Sequence, residues 1–190
     1  MSEEFFGPTF EEAEESMVLP EGTYTFLVEE ATGQKGKNPD KALTEAGGNE
    51  DVYNYRLNLK LRVVKAPPTA QKYTNRVIFG RFPLLGQMSW QVRRLAQQAA
   101  LDYIQSKFDV KHPDYDPAQR PKFSSSGDET WLKICAFYCT GSLTDDTGRT
   151  YESSSGGLAG KHVEIVIGKP KKNEQTKELE TGFMSPVKVA

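Results

Sequence analysis

The chain has 190 residues, 37 % hydrophobic and 26 % charged, with 24 Lys and Arg against 26 Asp and Glu for a formal net charge of −2. That length suits one domain with long loops and a sizeable core, and disfavours two full domains. No apolar run approaches the ~20 residues of a membrane span, the start Met1-Ser2-Glu3-Glu4-Phe5-Phe6 lacks a signal peptide's basic and apolar regions, and the only cysteines, Cys135 and Cys139, make no disulfide framework; a soluble intracellular protein with no membrane partner is expected.

Residues 1–21 hold seven glutamates and no Lys or Arg, so the rest of the chain carries all 24 basic residues against 19 acidic ones. Composition reads 1–21 as an acidic, flexible leader that solubilises the protein. The sharper reading is that it competes with nucleic acid for a basic face or recruits a partner, with Phe5, Phe6 and Phe10 as anchors. The body, 22–190, is expected to be one domain. Tyr24, Phe26 and Val28 alternate with Thr23, Thr25 and Leu27, which predicts a first strand over 22–31. From 32 to 51, Gly33, Gly36, Pro39, Gly47 and Gly48 occur with Lys35, Lys37 and Lys41 and no sustained apolar period, which predicts a long loop.

The second strand, 52–64, is strictly periodic: Tyr53, Tyr55, Leu57, Leu59, Leu61 and Val63 fall on one face, and Asn54, Arg56, Asn58, Lys60 and Arg62 on the other. Pro67 and Pro68 follow it. A third strand is expected over 73–82, with Gly80 marking a bulge or bend. Within a helical insert at 88–141, Ser89 caps a helix running to about Phe108 on the stripe Val92, Leu95, Ala96, Ala99 and Tyr103, and a polar connector covers 109–127. Asp128 then caps a second helix to about Thr140, ended by Gly141; the alternation of Leu132, Ile134, Ala136 and Tyr138 leaves a strand as the alternative. After a polar loop at 144–157, a fourth strand is expected over 162–168, a cationic turn at Lys169, Lys171 and Lys172, and a fifth strand over 181–189.

The order β-β-β-α-β-β describes a mainly β protein with a helical insert, of the α+β class, and matches the five-stranded, partly open barrel of the OB-fold. Binding there occurs around strands two and three, between the loops joining strands one to two and four to five. Both loops carry lysines here: Lys35, Lys37 and Lys41 in one, Lys169, Lys171 and Lys172 in the other. A groove for single-stranded nucleic acid needs cations that track phosphates and flat rings that stack on bases. Candidate cations are Arg56, Lys60 and Arg62 with Arg76 and Arg81; candidate rings are Tyr53, Tyr55, Tyr73, Phe79 and Phe82. Core packing competes for each ring, and cross-strand pairing with carboxylates competes for the strand-two cations.

Leu19-Pro20-Glu21-Gly22-Thr23-Tyr24, Leu57 to Val64, Asn75-Arg76-Val77-Ile78-Phe79, the helix start Trp90 to Leu95, and Gly157-Leu158-Ala159-Gly160-Lys161 together resemble phage-encoded OB-fold single-stranded DNA-binding proteins. The resemblance spans roughly residues 19–189. It implies sequence-tolerant binding of single strands in phage replication or recombination, in the cytoplasm of an infected bacterial host, with replication or recombination proteins as possible partners and oligomerisation possible. Many such proteins carry an acidic tail at the C-terminus, whereas here the acidic stretch is N-terminal. The alternative is a structural or protein-interaction β-barrel module of a phage assembly that binds no nucleic acid.

No catalysis or cofactor is expected. Gly156 to His162 lacks the spacing and hydroxyl of a phosphate loop, Glu11-Glu12 and Asp145-Asp146 read as solvated loop charges, and Ser124 to Ser126 lie in a connector. His112 and His162 are isolated in sequence, and Cys135 and Cys139, four apart, read as core thiols, so no metal is expected.

Overall fold

A computed structural model describes residues 18–124 and 127–190. Residues 1–17, most of the expected leader, lie outside the described residues, as do Ser125 and Ser126. Near the leader's end Val18 and Leu19 are buried, Glu21 is exposed, and the Tyr24 hydroxyl donates to the Pro20 carbonyl at 2.9 Å.

The chain is mixed α+β, built on a five-stranded antiparallel sheet. In chain order the strands are β1 (Gly22–Pro39), β2 (Tyr53–Lys65), β3 (Val77–Pro83), β4 (Ser142–Thr144), β5 (Thr150–Glu152), β6 (His162–Ile167), β7 (Lys171–Lys172), β8 (Leu179–Glu180) and β9 (Met184–Pro186). The helices are α1 (Lys41–Ala46), α2 (Trp90–Gln98), α3 (Asp102–Phe108) and α4 (Asp128–Thr140). The main sheet has the order β3-β2-β1-β6-β9, while β4–β5 and β7–β8 form separate two-stranded ribbons. No ladder joins β3 to β9, so the sheet is not closed into a barrel.

Period-two alternation decides which face is core. Tyr24, Phe26 and Val28 of β1, Leu57 to Val63 at every second position of β2, Ile78 and Phe82 of β3, and Val163, Ile165 and Ile167 of β6 are all buried. α4 covers this face so closely that a Cβ at Gly33 would stand 2.3 Å from the Cβ of Cys135. Gly80 does not bulge: β3 pairs with β2 without interruption from Val77 to Pro83. Its missing side chain instead makes room for the Phe82 ring, which a Cβ there would approach to 2.6 Å.

Several elements depart from the sequence expectation. The expected loop at 32–51 is ordered as the second half of β1, then α1, whose start is capped by Asp40 accepting from the Leu43 N–H at 3.1 Å. The expected third strand starts later, because Pro68–Tyr73 forms a 3-10 turn. The fifth strand is shorter, Met184–Pro186, and the polar loop after Gly141 contains the β4–β5 hairpin.

The long helix is broken in two around Ala100, which has φ 57°. On one continuous helix, nine residues separate Leu95 from Ile104, and at about 100° per residue the two would point in opposite directions. Breaking the helix buries both, and it leaves Tyr103, which the stripe assigned to the core, exposed. α4 matches its expected bounds and ends at Gly141 in the left-handed conformation, φ 78°, although Asp128 is its first residue and not its cap.

Candidate nucleic-acid interface

The sheet face turned away from the helices is open to solvent over β2 and β3. On it lie Arg56, Asn58, Lys60 and Arg62 of β2, set by register against Pro83, Arg81, Phe79 and Val77 of β3. Phe79 is 72 % exposed and stands opposite Lys60; Arg81, also exposed, stands opposite Asn58. Arg56 lies over Gly36, where a Cβ would come within 3.3 Å of its Nη2. Among the described residues, neither Arg56 nor Arg81 has a carboxylate partner.

Lys60 and Arg62 do have partners. β1 breaks register between Val28 and Glu30, so Glu29 and Glu30 both reach this face. Lys60 Nζ is 3.2 Å from Glu30 Oε1 and 3.6 Å from Glu29 Oε2, and Arg62 Nε donates to Glu29 Oε1. The Arg62 bond holds the Glu29 carboxyl below the usual carboxylate range, with Lys60 adding to the effect, and Glu30 raises the Lys60 ammonium. Two of the three cations expected along β2 are therefore paired with carboxylates. Beyond the register break, Glu30, Thr32 and Gln34 line up beside Lys60, Asn58 and Arg56, and Asn58 Nδ2 donates to Gln34 Oε1 at 3.0 Å.

The remaining expected site residues fall elsewhere. Tyr55 is buried, stacked on Trp131 at 6.1 Å between centroids, with its hydroxyl donating to Asp128; burial and that carboxylate push its pKa up. It offers no ring face to a base. Phe82 and Tyr73 are likewise buried, with the Arg76 guanidinium 5.7 Å from the Tyr73 ring centroid. Lys35 turns to the helix side, 2.6 Å from Asp128 Oδ2 and 4.1 Å from the Tyr53 centroid, so both residues belong to a contact that pins the start of α4 to β1 and β2. Lys37 is exposed at the end of β1.

Lys169, Lys171 and Lys172 are exposed around β7 and do not flank the same stretch of groove as Lys35. β6 runs antiparallel to the start of β1, with Ile167 opposite Gly22. The second lysine group therefore leaves the sheet beside Gly22, about 40 Å along β1 from Lys35 at ~3.3 Å per residue.

Two further sequence readings are corrected. His112 is not isolated: its Nδ1 accepts from the Asp114 N–H at 3.1 Å, and its Nε2 lies 2.8 Å from Asp102 Oδ1. Both ring nitrogens are thereby used in holding the turn after α3. Asp145 is buried rather than solvated, accepting from the Thr147 hydroxyl and from the backbone N–H groups of Lys122, Thr147 and Arg149, which pull its pKa down to about 2. Asp146 accepts from Ser124 through both N–H and hydroxyl, so the pair ties the connector to the β4–β5 turn.

Glu29, Glu30, Gln34, Asp128 and Trp131 shape this region and were absent from the sequence-based site. The visible signal was the doublet Glu29-Glu30, where the apolar alternation of the first strand stops. No helix among the described residues is long and apolar enough to cross a membrane. A scan against protein-family models finds no match to this chain, and a search of curated proteins finds no similar sequence.

Proposed function

We propose that the protein binds single-stranded DNA across the open face of β2 and β3, with Phe79 as the stacking ring and Arg56 and Arg81 as the phosphate contacts. The observation that carries this reading is the pairing of an exposed phenyl ring with two guanidinium groups that have no carboxylate partner among the described residues, on one solvent-facing sheet surface. Base stacking on one ring contributes about 1–3 kcal/mol and tolerates any sequence. The strand order β3-β2-β1-β6-β9, with a helical segment between the third and fourth main strands, is that of an OB barrel opened between β3 and β9, and we read the fold so. The setting in phage replication or recombination within an infected host rests on the sequence resemblance alone, and the expectation of no catalysis rests on the lack of a catalytic motif in the sequence.

The test is a fluorescence titration with labelled oligothymidine and a matched duplex at two salt concentrations. Preference for the single strand, weakening with salt and about tenfold loss in Phe79→Ala support the reading, since ~1.4 kcal/mol of lost stacking is tenfold. No retention of oligothymidine at low salt would overturn it. The neutralisation of Lys60 and Arg62 by Glu29 and Glu30 favours a second reading, a protein-interaction module of a phage assembly, which that result would leave standing.

A further inference from the structure

Between the free edge of β3 and the segment 178–184 runs a groove of about 1120 Å³, lined by Val18, Ile78, Phe79, Leu179, Phe183 and Met184 among others. Phe79, Leu179 and Phe183 are all counted among the exposed large hydrophobic side chains, so the groove presents apolar surface to solvent. Its walls are firm. Gln91 Nε2 donates to the Met184 carbonyl at 2.7 Å, Trp90 packs on Phe183 with centroids 6.4 Å apart, and the Leu19 N–H reaches Thr181 Oγ1 at 3.4 Å.

Val18 is the first described residue, and it lines this groove. The 17 residues before it, whose placement is not described, are therefore joined to the described chain at this groove. They contain Phe5, Phe6 and Phe10. At ~3.3 Å per residue they can reach about 56 Å, more than twice the length of seven-residue β3.

We propose that the groove is the seat of the chain's own leader, residues 1–17, whose phenylalanines cover Phe79, Leu179 and Phe183. Apolar complementarity selects this occupant against an opposing charge balance: the leader brings six glutamates, and the rim holds Arg81 on the β3 side and Glu178 and Glu180 on the other. Because Phe79 lines the groove as well as the open sheet face, a seated leader covers the ring assigned above to base stacking. That consequence rests on the proposed function; the seating does not.

The experiment uses the full chain without nucleic acid. A photo-reactive benzoylphenylalanine replaces Phe10, and cross-links are mapped by mass spectrometry. Cross-links within one chain to Met88, Leu179, Phe183 or Met184 are expected, independent of protein concentration. Cross-links scattered over the surface, links only between chains, or none would overturn the proposal. In parallel, hydrogen exchange over 77–83 and 178–184 is compared between the wild type and the Phe5→Ala/Phe6→Ala/Phe10→Ala variant. Several-fold faster exchange in the variant is expected, and equal rates would overturn the seating. Neither readout involves DNA, so failure here leaves single-strand binding untouched, and failure of oligothymidine binding leaves the leader's seat untouched.

Discussion

Replacing Glu29 and Glu30 together by glutamine turns the acid pairing of the β2 face into a quantitative test. In the wild type, Arg56 and Arg81 have no carboxylate partner among the described residues, whereas Lys60 and Arg62 share Glu29 and Glu30. If only the unpaired cations contact phosphates, two counterions are displaced, and at about 0.7 per phosphate on a single strand the slope of log K against log salt is about −1.4. Freeing Lys60 and Arg62 doubles the count and takes the slope to about −2.8. Between 1 M and 0.15 M salt the two added contacts amount to roughly a tenfold gain in affinity. The assay is fluorescence anisotropy of labelled oligothymidine over a salt series, with a thermal melt to check that the variant remains folded. An unchanged slope, or weaker binding by the variant, would refute the assignment of this face.

The same pair predicts a pH dependence. The Glu29 carboxyl is held below the usual range by Arg62, so the ion pair contributes above the ordinary carboxylate pKa and is lost as pH falls through the lowered value. Wild-type affinity for oligothymidine should rise across that acidic window, and the Glu29→Gln/Glu30→Gln variant should lack the rise. Charge reversal at Arg56 and Arg81 should weaken binding, measured on the same probe, with little change in the melting temperature, because both lie on the open face; equal loss from reversing Lys169 and Lys171 would point to a different surface. Burial pushes the Cys135 and Cys139 thiols up to about 12, so neither should react with a thiol reagent at pH 8 until denaturant is added. Gly33→Ala drives a methyl group into Cys135 and should destabilise the fold by about 1–3 kcal/mol in a urea melt, the usual cost of overpacking. Asp145, held near pKa 2 by its hydrogen bonds, stabilises the fold above the ordinary carboxylate pKa and loses that effect as pH falls towards 2. Asp145→Asn should therefore lower the melting temperature at pH 7 and converge with the wild type near pH 2.

Much of the architecture was legible because alternation in β2 leaves little freedom. Leu57, Leu59, Leu61 and Val63 must share a face, and a one-residue slip would expose all of them. Gly141 likewise marks the end of α4, where a left-handed residue is needed. The helix at 89–108 was misread because the stripe through Val92, Leu95, Ala96 and Ala99 fits one helix, while the burial of Leu101 and Ile104 requires a second axis. The loop at 32–51 was misread because Gly33 and Gly36 look like turn residues, whereas they permit close approach of Cys135 and of the Arg56 side chain.

By itself the sequence determined which residues of β2 face inward and which carry charge outward, since a period of two follows from backbone geometry alone. That Phe79 and Arg81 share a strand face was decided by the unbroken register of β2 and β3, since a bulge at Gly80 would have parted them. Only the tertiary structure decided what opposes them. The register break after Val28 turns two glutamates onto the cationic ladder, and the packing of α4 takes Tyr55 and Lys35 out of it. Alternation is local, but the partner of an exposed charge is set by register between strands more than 25 residues apart, and no single stretch of chain encodes that alignment.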